Sequence, residues 1–296
     1  MEQIDTLKNG YKIIQDTERF MFGIDAVLLA DFVRFDGNGN SGGKNDDGTD
    51  GFCGKNATVG SLGGGIKRND KTIDLGTGNG IIPLLLSGFY PGNCFTGLEI
   101  QKESVELAAR SVELNGLQDK IRIINGDLTK IDDFAGKYGL VKHSFDVVTC
   151  NPPYSVVESG KQNPKEPKAI ARHELLCTLE DVVAAADFLL KPHGKFFMIH
   201  RPYRLAEIFG ALYAHQLEPK RMRLVSPFAG EEPNMVLIEA RKNAKPRLKI
   251  EPELAVYEKC EEEALAGNER RGNATSKNTR QYTRQVQEIY ERQCRC

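Results

Sequence analysis

The chain has 296 residues, with 40 basic against 41 acidic side chains and a formal net charge of −1. At roughly 100–200 residues per domain this is one large domain or two small ones, and a hydrophobic fraction of 40% excludes wholesale disorder. A balance this near neutral argues against a strongly basic nucleic-acid binder only if the charge is evenly spread, and it is not. Residues 1–160 hold 16 basic and 22 acidic side chains, whereas residues 161–296 hold 24 and 19. Such asymmetry fits a polyanionic partner. The seven cysteines form no Cys-x-x-Cys pair, and Cys294 and Cys296 sit where a terminus frays. The histidines at 143, 173, 193, 200 and 215 offer no paired spacing for zinc, so no metal is expected. Met1-Glu2-Gln3-Ile4-Asp5 lacks the basic-then-apolar pattern of a leader, and no apolar run approaches the ~20 residues of a spanning helix. A soluble, cytoplasmic chain without a membrane partner is expected.

In chain order, Ile24–Val33 reads as a short apolar helix. Residues 37–65 then change character: 11 of these 29 residues are Gly, mixed with Asn, Asp, Ser and Lys. They cannot bury enough surface to offset their ordering entropy, so a flexible surface loop is expected. A phosphate cradle would need a Gly-Lys-Ser/Thr ending, which is absent. From Lys71 the pattern becomes regular: a strand over Lys71–Leu75, a helix from Ile81 to Ser87, a strand over Cys94–Ile100 and an amphipathic helix over Lys102–Asn115 stopped by Gly116. Lys120–Asn125 is a third strand, and Phe145–Cys150 is nearly all apolar, as a strand covered on both faces would be. A helix at Leu179–Leu190 closes in a Lys191-Pro192-His193-Gly194 turn. A strand at Lys195–His200, a helix at Tyr203–His215 and strands at Arg221–Ser226 and Met235–Arg241 follow. Alternation of this kind predicts a doubly wound, mostly parallel sheet with helices on both faces. Past Lys242 the chain turns polar, with a terminal helix expected at Thr283–Glu291 carrying Val286, Ile289 and Tyr290 on one side.

Ligands of open parallel sheets bind beyond the carboxyl ends of the strands, and the residues there carry the chemistry. The first strand ends in Asp74-Leu75-Gly76-Thr77-Gly78-Asn79-Gly80, whose glycines admit close backbone approach and lead into a helix N-terminus with free amide donors. Dinucleotide enzymes prefer Gly-x-Gly-x-x-Gly with no acid just before it; Asp74 and the third glycine, Gly80, fit an S-adenosylmethionine site better. Glu99, followed by Ile100, is placed to accept from both ribose hydroxyls, a feature common to both cofactors. Asp127, before Leu128, is placed either to accept from the adenine amino group or to cap a helix over Leu128–Phe134. The fourth strand ends in Asn151-Pro152-Pro153-Tyr154. Two prolines fix the backbone and remove two amide donors, leaving carbonyl acceptors, the Asn151 amide and an aromatic ring. That set suits a planar amino group. Hydrogen bonds to the Asn151 oxygen and the Pro152 carbonyl favour a pyramidal nitrogen with a free lone pair, and Tyr154 stacks on the base, a contact worth roughly 1–3 kcal/mol.

These motifs resemble those of class I adenosylmethionine-dependent amino-methyltransferases. More narrowly, Asn9-Gly10-Tyr11-Lys12-Ile13-Ile14-Gln15-Asp16, Phe22–Ala30, Ala171-Arg172-His173-Glu174 and 226–241 resemble the bacterial tRNA adenine-N6 methyltransferase family acting on the anticodon loop of tRNA1(Val). The likeness covers 1–35, 69–257 and 282–290; the Gly-rich loop and 259–280 depart from it as insertions. The resemblance implies a Rossmann-like seven-stranded sheet of order 3-2-1-4-5-7-6. It also implies cofactor contacts at Asp74, Gly76, Thr77, Gly78, Gly80, Glu99, Ile100, Asp127, Leu128 and Asn151, and catalysis at Asn151, Pro152, Pro153 and Tyr154. It divides the chain into a cofactor-covering segment (1–35), a Gly-rich flexible insertion (36–68), the methyltransferase domain (69–257) and a charged, partly mobile tail (258–296). The substrate implied is adenosine 37 of tRNA1(Val), flipped into the Asn-Pro-Pro-Tyr pocket; the sequence leaves the oligomeric state open, with a monomer favoured. Ser155–Ile170, with Lys161, Lys165 and Lys168, reads as a basic flap closing on RNA phosphates.

Three rivals share features. A release-factor glutamine methyltransferase carries Asn-Pro-Pro-Tyr but also a helical recognition domain before the Gly motif, where this chain has one helix and the Gly-rich loop. An rRNA guanine-N2 methyltransferase would carry a second, duplicated half. A non-catalytic cofactor-binding RNA scaffold would not need the intact tetrapeptide.

Overall fold

The computed structural model describes residues 1–18, 21–34, 65–131, 136, 138–152, 177–259 and 280–293. The Gly-rich insertion (but for 65–68), the 155–170 flap, Pro153, Tyr154, and 171–174 of the family-like segments lie outside them. Strands β1 (Glu2–Thr6) and β2 (Lys12–Asp16) form an antiparallel hairpin. Helix α1 (Ile24–Arg34) follows, then β3 (Lys71–Leu75), α2 (Ile81–Phe89), β4 (Cys94–Glu99), α3 (Lys102–Leu114), β5 (Ile121–Asn125) and β6 (Phe145–Cys150). The second half runs α4 (Leu179–Leu189), β7 (Leu190–His200), α5 (Leu205–Ala214), β8 (Leu217–Phe228), β9 (Met235–Lys242), β10 (Lys249–Ile250), β11 (Leu254–Tyr257) and α6 (Arg284–Gln293).

The main sheet runs β5-β4-β3-β6-β7-β9-β8, with β9 antiparallel to both neighbours and the other pairs parallel. That is the order the resemblance implies. The sheet is nine-stranded rather than seven-stranded, because β10 and β11 both pair parallel with the outer edge of β8. These pieces are too short to show in a hydrophobic pattern, yet they cover an edge that would otherwise offer unpaired backbone groups.

Both faces are buried, which explains the nearly continuous apolar strands. Phe95, Ile121, Val147, Phe197, Ile199 and Leu237 point into one core with α1, α2 and α6. Ile73, Leu75, Leu98, Ile124, Val148, Met198 and Ile238 point into the other with α4 and α5. The N-terminal hairpin is tied to α3 by side chains in place of a strand. Ile14 N–H donates to Ser111 Oγ at 2.9 Å, and Lys12 N–H donates to Asn115 Oδ1 at 2.7 Å.

Two expectations are corrected. The turn at Lys191–Gly194 is a bulge inside β7: Phe145 pairs with Leu190 and Val147 with Lys195, so four residues loop outward, with His193 at φ 66°. The helix after Asp127 is, over the described residues, one 3-10 turn, Leu128–Lys130. The terminal helix expected from the sequence forms as α6: its Val286 and Ile289 are buried in the core, and Arg292 grips Asp31 of α1 through two bonds of 3.0 and 2.8 Å.

Candidate active site

Strand order reverses between β3 and β6, where crevices for ligands form. Register brings the relevant ends level: Leu75 lies beside Leu98 and Cys150, and Glu99 beside Asn125. The turn after β3 is held by Gly76 and Thr77 N–H groups donating to the Leu98 carbonyl at 2.9 and 3.0 Å. Gly76 and Gly78 have φ of +68° and +57°, and a Cβ on either would meet nothing within 4 Å. Their backbone faces open space, as a surface built for close approach requires.

Glu99 is buried and fixes this turn. Gly78 N–H donates to its Oε2 at 3.0 Å and Gln101 N–H to its Oε1 at 2.9 Å. Each carboxylate oxygen accepts more than one hydrogen bond, so the group keeps capacity for a ligand's hydroxyls. Asn125 holds the next turn, donating to the carbonyls of Glu99 at 3.0 Å and Ile100 at 2.9 Å. Asp127 acts as the N-cap of the 3-10 turn, with Oδ1 accepting from Thr129 N–H at 3.0 Å and Thr129 Oγ1 at 2.7 Å. Leu128 packs against the core from that turn.

Asp74 is enclosed. Its Oδ1 accepts from Thr149 Oγ1 at 2.6 Å, a cross-strand partner in register with it. Burial pushes its carboxyl up to about 7 despite that hydrogen bond, since a low-dielectric site disfavours the charged form. Thr77 also hydrogen-bonds this carboxyl, and both amide atoms of Asn79 are buried with no hydrogen-bond partner among the described residues. Orphaned polar atoms cost about 1–3 kcal/mol each. The two on Asn79, in the turn that follows the buried carboxyl of Asp74, mark a place that a polar ligand or water completes, so the residues present fit a polar, cationic cofactor.

Asn151 follows β6 directly. Its Nδ2 donates to Asp25 Oδ2 of α1 at 3.1 Å, across 126 residues of sequence. Pro152 is buried beside it. Thus Asp74, Gly76, Gly78, Glu99 and Asn151 gather at adjacent strand ends, with Asp127 one strand further out. Sequence reasoning missed Asp25, Asn79 and Thr149. Asn79 lay within the glycine motif and was readable as a polar side chain in a tight turn; Thr149 and Asp25 carry no local signal, because their partners are 75 and 126 residues away. Neighbouring groups do not compete for the chemistry. The Cys150 thiol is pushed well up by burial, and burial drives His200 down to about 4, leaving it neutral near pH 7. Among the described residues, no group of three or more His, Cys, Asp or Glu side chains stands ready for a metal. No helix among them is long and apolar enough to cross a membrane.

A mostly parallel sheet with a glycine turn, a strand-end acid and a polar residue at the switch point is the architecture of enzymes that bind a nucleoside-bearing cofactor, methyltransferases among them. Residues 66–251 match the family model described as a methyltransferase domain, and the chain belongs to that family. Curated relatives are narrower. The chain is 30% identical over 173 residues to a tRNA1(Val) (adenine(37)-N6)-methyltransferase of Porphyromonas gingivalis, an overlap of 57% of this chain and 64% of that one. It is 27% identical over 208 residues to a protein of the same name from Dyadobacter fermentans, covering 66% of this chain and 77% of the relative. The match thus spans just under two thirds of the first relative's length. A predicted O-methyltransferase from Agrobacterium tumefaciens superposes with a TM-score of 0.56 at 21% identity, over 76% of this chain and 89% of that one. That likeness speaks for the fold alone.

Proposed function

We propose that this chain methylates the N6 amino group of an adenosine in tRNA, with S-adenosylmethionine as cofactor and adenosine 37 of tRNA1(Val) as the target its relatives' names suggest. The observation that carries the reading is the placement of Asn151 level with the glycine turn that Glu99 braces. A polar amide with a following proline stands at one strand end, and the open glycine turn braced by Glu99 at its neighbours. S-adenosylmethionine would supply an electrophilic methyl group on a cationic sulfur. Gly76, Thr77, Gly78 and Gly80 would take its amino-acid end, with Asp74 beneath them. Glu99 and Ile100 would hold the ribose, and Asp127 and Leu128 the adenine. Asn151 and the Pro152 carbonyl would accept from the target amino group, releasing its lone pair, while Pro153 and Tyr154 complete the pocket. Positioning of this kind supplies most of the acceleration, and no general base is needed, since a nitrogen gaining a fourth bond sheds its proton readily. The excess of basic over acidic residues beyond 160 suits a polyanionic partner. At the rim beyond β7, Tyr203 is 70% exposed between Pro202 and Arg204, in keeping with an RNA contact.

The test is incubation of the protein and S-adenosylmethionine with bulk tRNA lacking the modification, followed by nucleoside mass spectrometry and mapping. N6-methyladenosine is expected only when enzyme and cofactor are both present. Failure to methylate any nucleoside while the cofactor binds would favour the scaffold reading, and methylation of a release-factor glutamine would favour that rival.

Asp74 gives this reading a pH signature. Its carboxyl sits at about 7, against an ordinary value of 3.8. The folded chain therefore keeps a proton that the unfolded chain has lost, and stability falls as pH rises from about 4 to about 7. A cationic ligand above the group favours the carboxylate, so binding at pH 6 expels a proton that binding at pH 8 does not. Cofactor affinity is expected to rise about tenfold between those values, and Asp74→Asn to flatten that rise. Calorimetric titrations in which wild type and variant show the same pH slope would remove Asp74 from the site.

A further inference from the structure

We propose that Asp25 is a positioning residue for methyl transfer, acting through Asn151 by fixing which way its side-chain amide faces. The inference rests on the proposed amino-methyl transfer but goes beyond the role of covering the cofactor that the N-terminal segment was expected to play. An Asn side chain presents an acceptor oxygen and a donor nitrogen that interchange by a half-turn of the amide, and only one orientation serves a target amino group. That group donates, so the oxygen must face it. A carboxylate accepts only; Asp25 Oδ2, at 3.1 Å from Asn151 Nδ2, therefore selects the orientation with the amide nitrogen toward α1 and the oxygen turned to the other side. A neutral partner able to donate as well as accept would no longer impose that orientation.

The carboxylate is itself held. Asp25 Oδ1 accepts from Ala26 N–H at 2.9 Å, and the N-terminal end of α1 is a favourable place for negative charge. Gly23 leaves the room this requires: a Cβ there would stand 2.7 Å from Asp25 Oδ1. Behind Asp25, residues Ala26–Val33 of α1 are all buried. The helix is anchored at Asp31 by Arg292 and at the Phe32 carbonyl by Arg221 NH2, at 2.6 Å. A side chain on so fixed an element suits the half-ångström tolerance a transfer site demands.

Asp25→Asn tests this, because Asn keeps the volume of Asp and an oxygen able to accept from the Ala26 N–H while losing the acceptor-only character. The expected result is a fall in kcat of about 10- to 100-fold, with KM for tRNA and Kd for S-adenosylmethionine unchanged and Asp25→Glu partly restoring kcat. In the protein alone, the Asn151 side-chain amide protons, followed by nitrogen–proton NMR, are expected to lie downfield in wild type and to move in Asp25→Asn. A variant kcat within about twofold of wild type would overturn the proposal, as would a Kd that rises in step with the fall in kcat. An Asn151 amide that does not move between the two proteins would overturn it too. That last arm needs no substrate, so a wild-type protein inactive on tRNA would sink the functional reading and leave the Asp25–Asn151 coupling to be decided by the spectrum.

Discussion

Asn151→Ala is expected to lower the rate of methyl transfer by about 10²- to 10³-fold while leaving S-adenosylmethionine affinity within about threefold of wild type. The split follows from where the side chain sits. Asn151 stands immediately after β6, whereas the glycine turn follows β3 and is braced by Glu99 through the Gly78 N–H. The two lie at neighbouring strand ends, but the hydrogen bonds that shape the proposed cofactor cradle come from β4 and the turn itself. The Asn151 amide is bonded instead to Asp25. Its removal therefore takes an acceptor from the target nitrogen and leaves the cradle in place. An amino group conjugated with a purine ring is a poor nucleophile, and an acceptor that meets it only as it pyramidalises stabilises the transition state more than the bound ground state. Loss of such a contact appears in kcat rather than in KM. Single-turnover transfer to unmodified tRNA, alongside calorimetry of cofactor binding, separates the two. Retention of full activity would remove Asn151 from the mechanism; a parallel loss of cofactor affinity would make it a cradle residue instead.

What was legible in the sequence divides along the range of the interactions. Asp74, the glycines and Glu99 announce themselves because each sits in a contiguous motif at a strand end, and alternation of apolar strands with amphipathic helices is a local pattern. The order β5-β4-β3-β6-β7-β9-β8 is not local and came from family resemblance. Strands β10 and β11 escaped because two and four residues show no period, and Pro252 separates them. The bulge at Lys191–Gly194 carries Pro, His and Gly and so looks like a turn; only pairing of Val147 with Lys195 shows the strand resuming. Thr149 illustrates the limit most clearly. Inside a hydrophobic strand it reads as one more β-branched residue, and its role as donor to Asp74 depends on register between strands 75 residues apart. Asp25 likewise reads as the start of a helix until the fold brings Asn151 to it.

Arg221→Met is expected to destabilise the protein by roughly 3–5 kcal/mol, a drop in Tm of about 6–20 °C at this size, although the residue touches none of the proposed transfer groups. The Arg221 side chain is 4% exposed, and its donors are spread over three elements. Nε donates to Glu239 Oε2 at 2.8 Å in register on β9, NH1 to Glu251 at 3.3 Å between β10 and β11, and NH2 to the Phe32 carbonyl at 2.6 Å. The guanidinium also lies 3.9 Å from the centroid of the Phe32 ring, within reach of a cation–π attraction. Methionine fills similar volume but leaves Glu239, itself 4% exposed, as a buried charge without its closest partner. Most of the expected loss is that charge left with only the more distant Arg241, at 4.0 Å, not the worth of the ion pair, because pairing two buried ions roughly repays their desolvation. The double change Arg221→Met with Glu239→Leu is therefore expected to be clearly more stable than the single one, and urea denaturation of the four proteins of the cycle measures the coupling. A single variant losing less than about 1 kcal/mol, or a double variant no better than the single, would show that the pair is not carrying the edge of the sheet. The consequence reaches the site through α1. Arg221 and Arg292 hold its carboxyl-terminal half against the sheet, so loosening that end frees the element whose first turn presents Asp25 to Asn151. A temperature-dependent loss of transfer in Arg221→Met, setting in below its unfolding transition while the wild type stays active, is the form that coupling is expected to take.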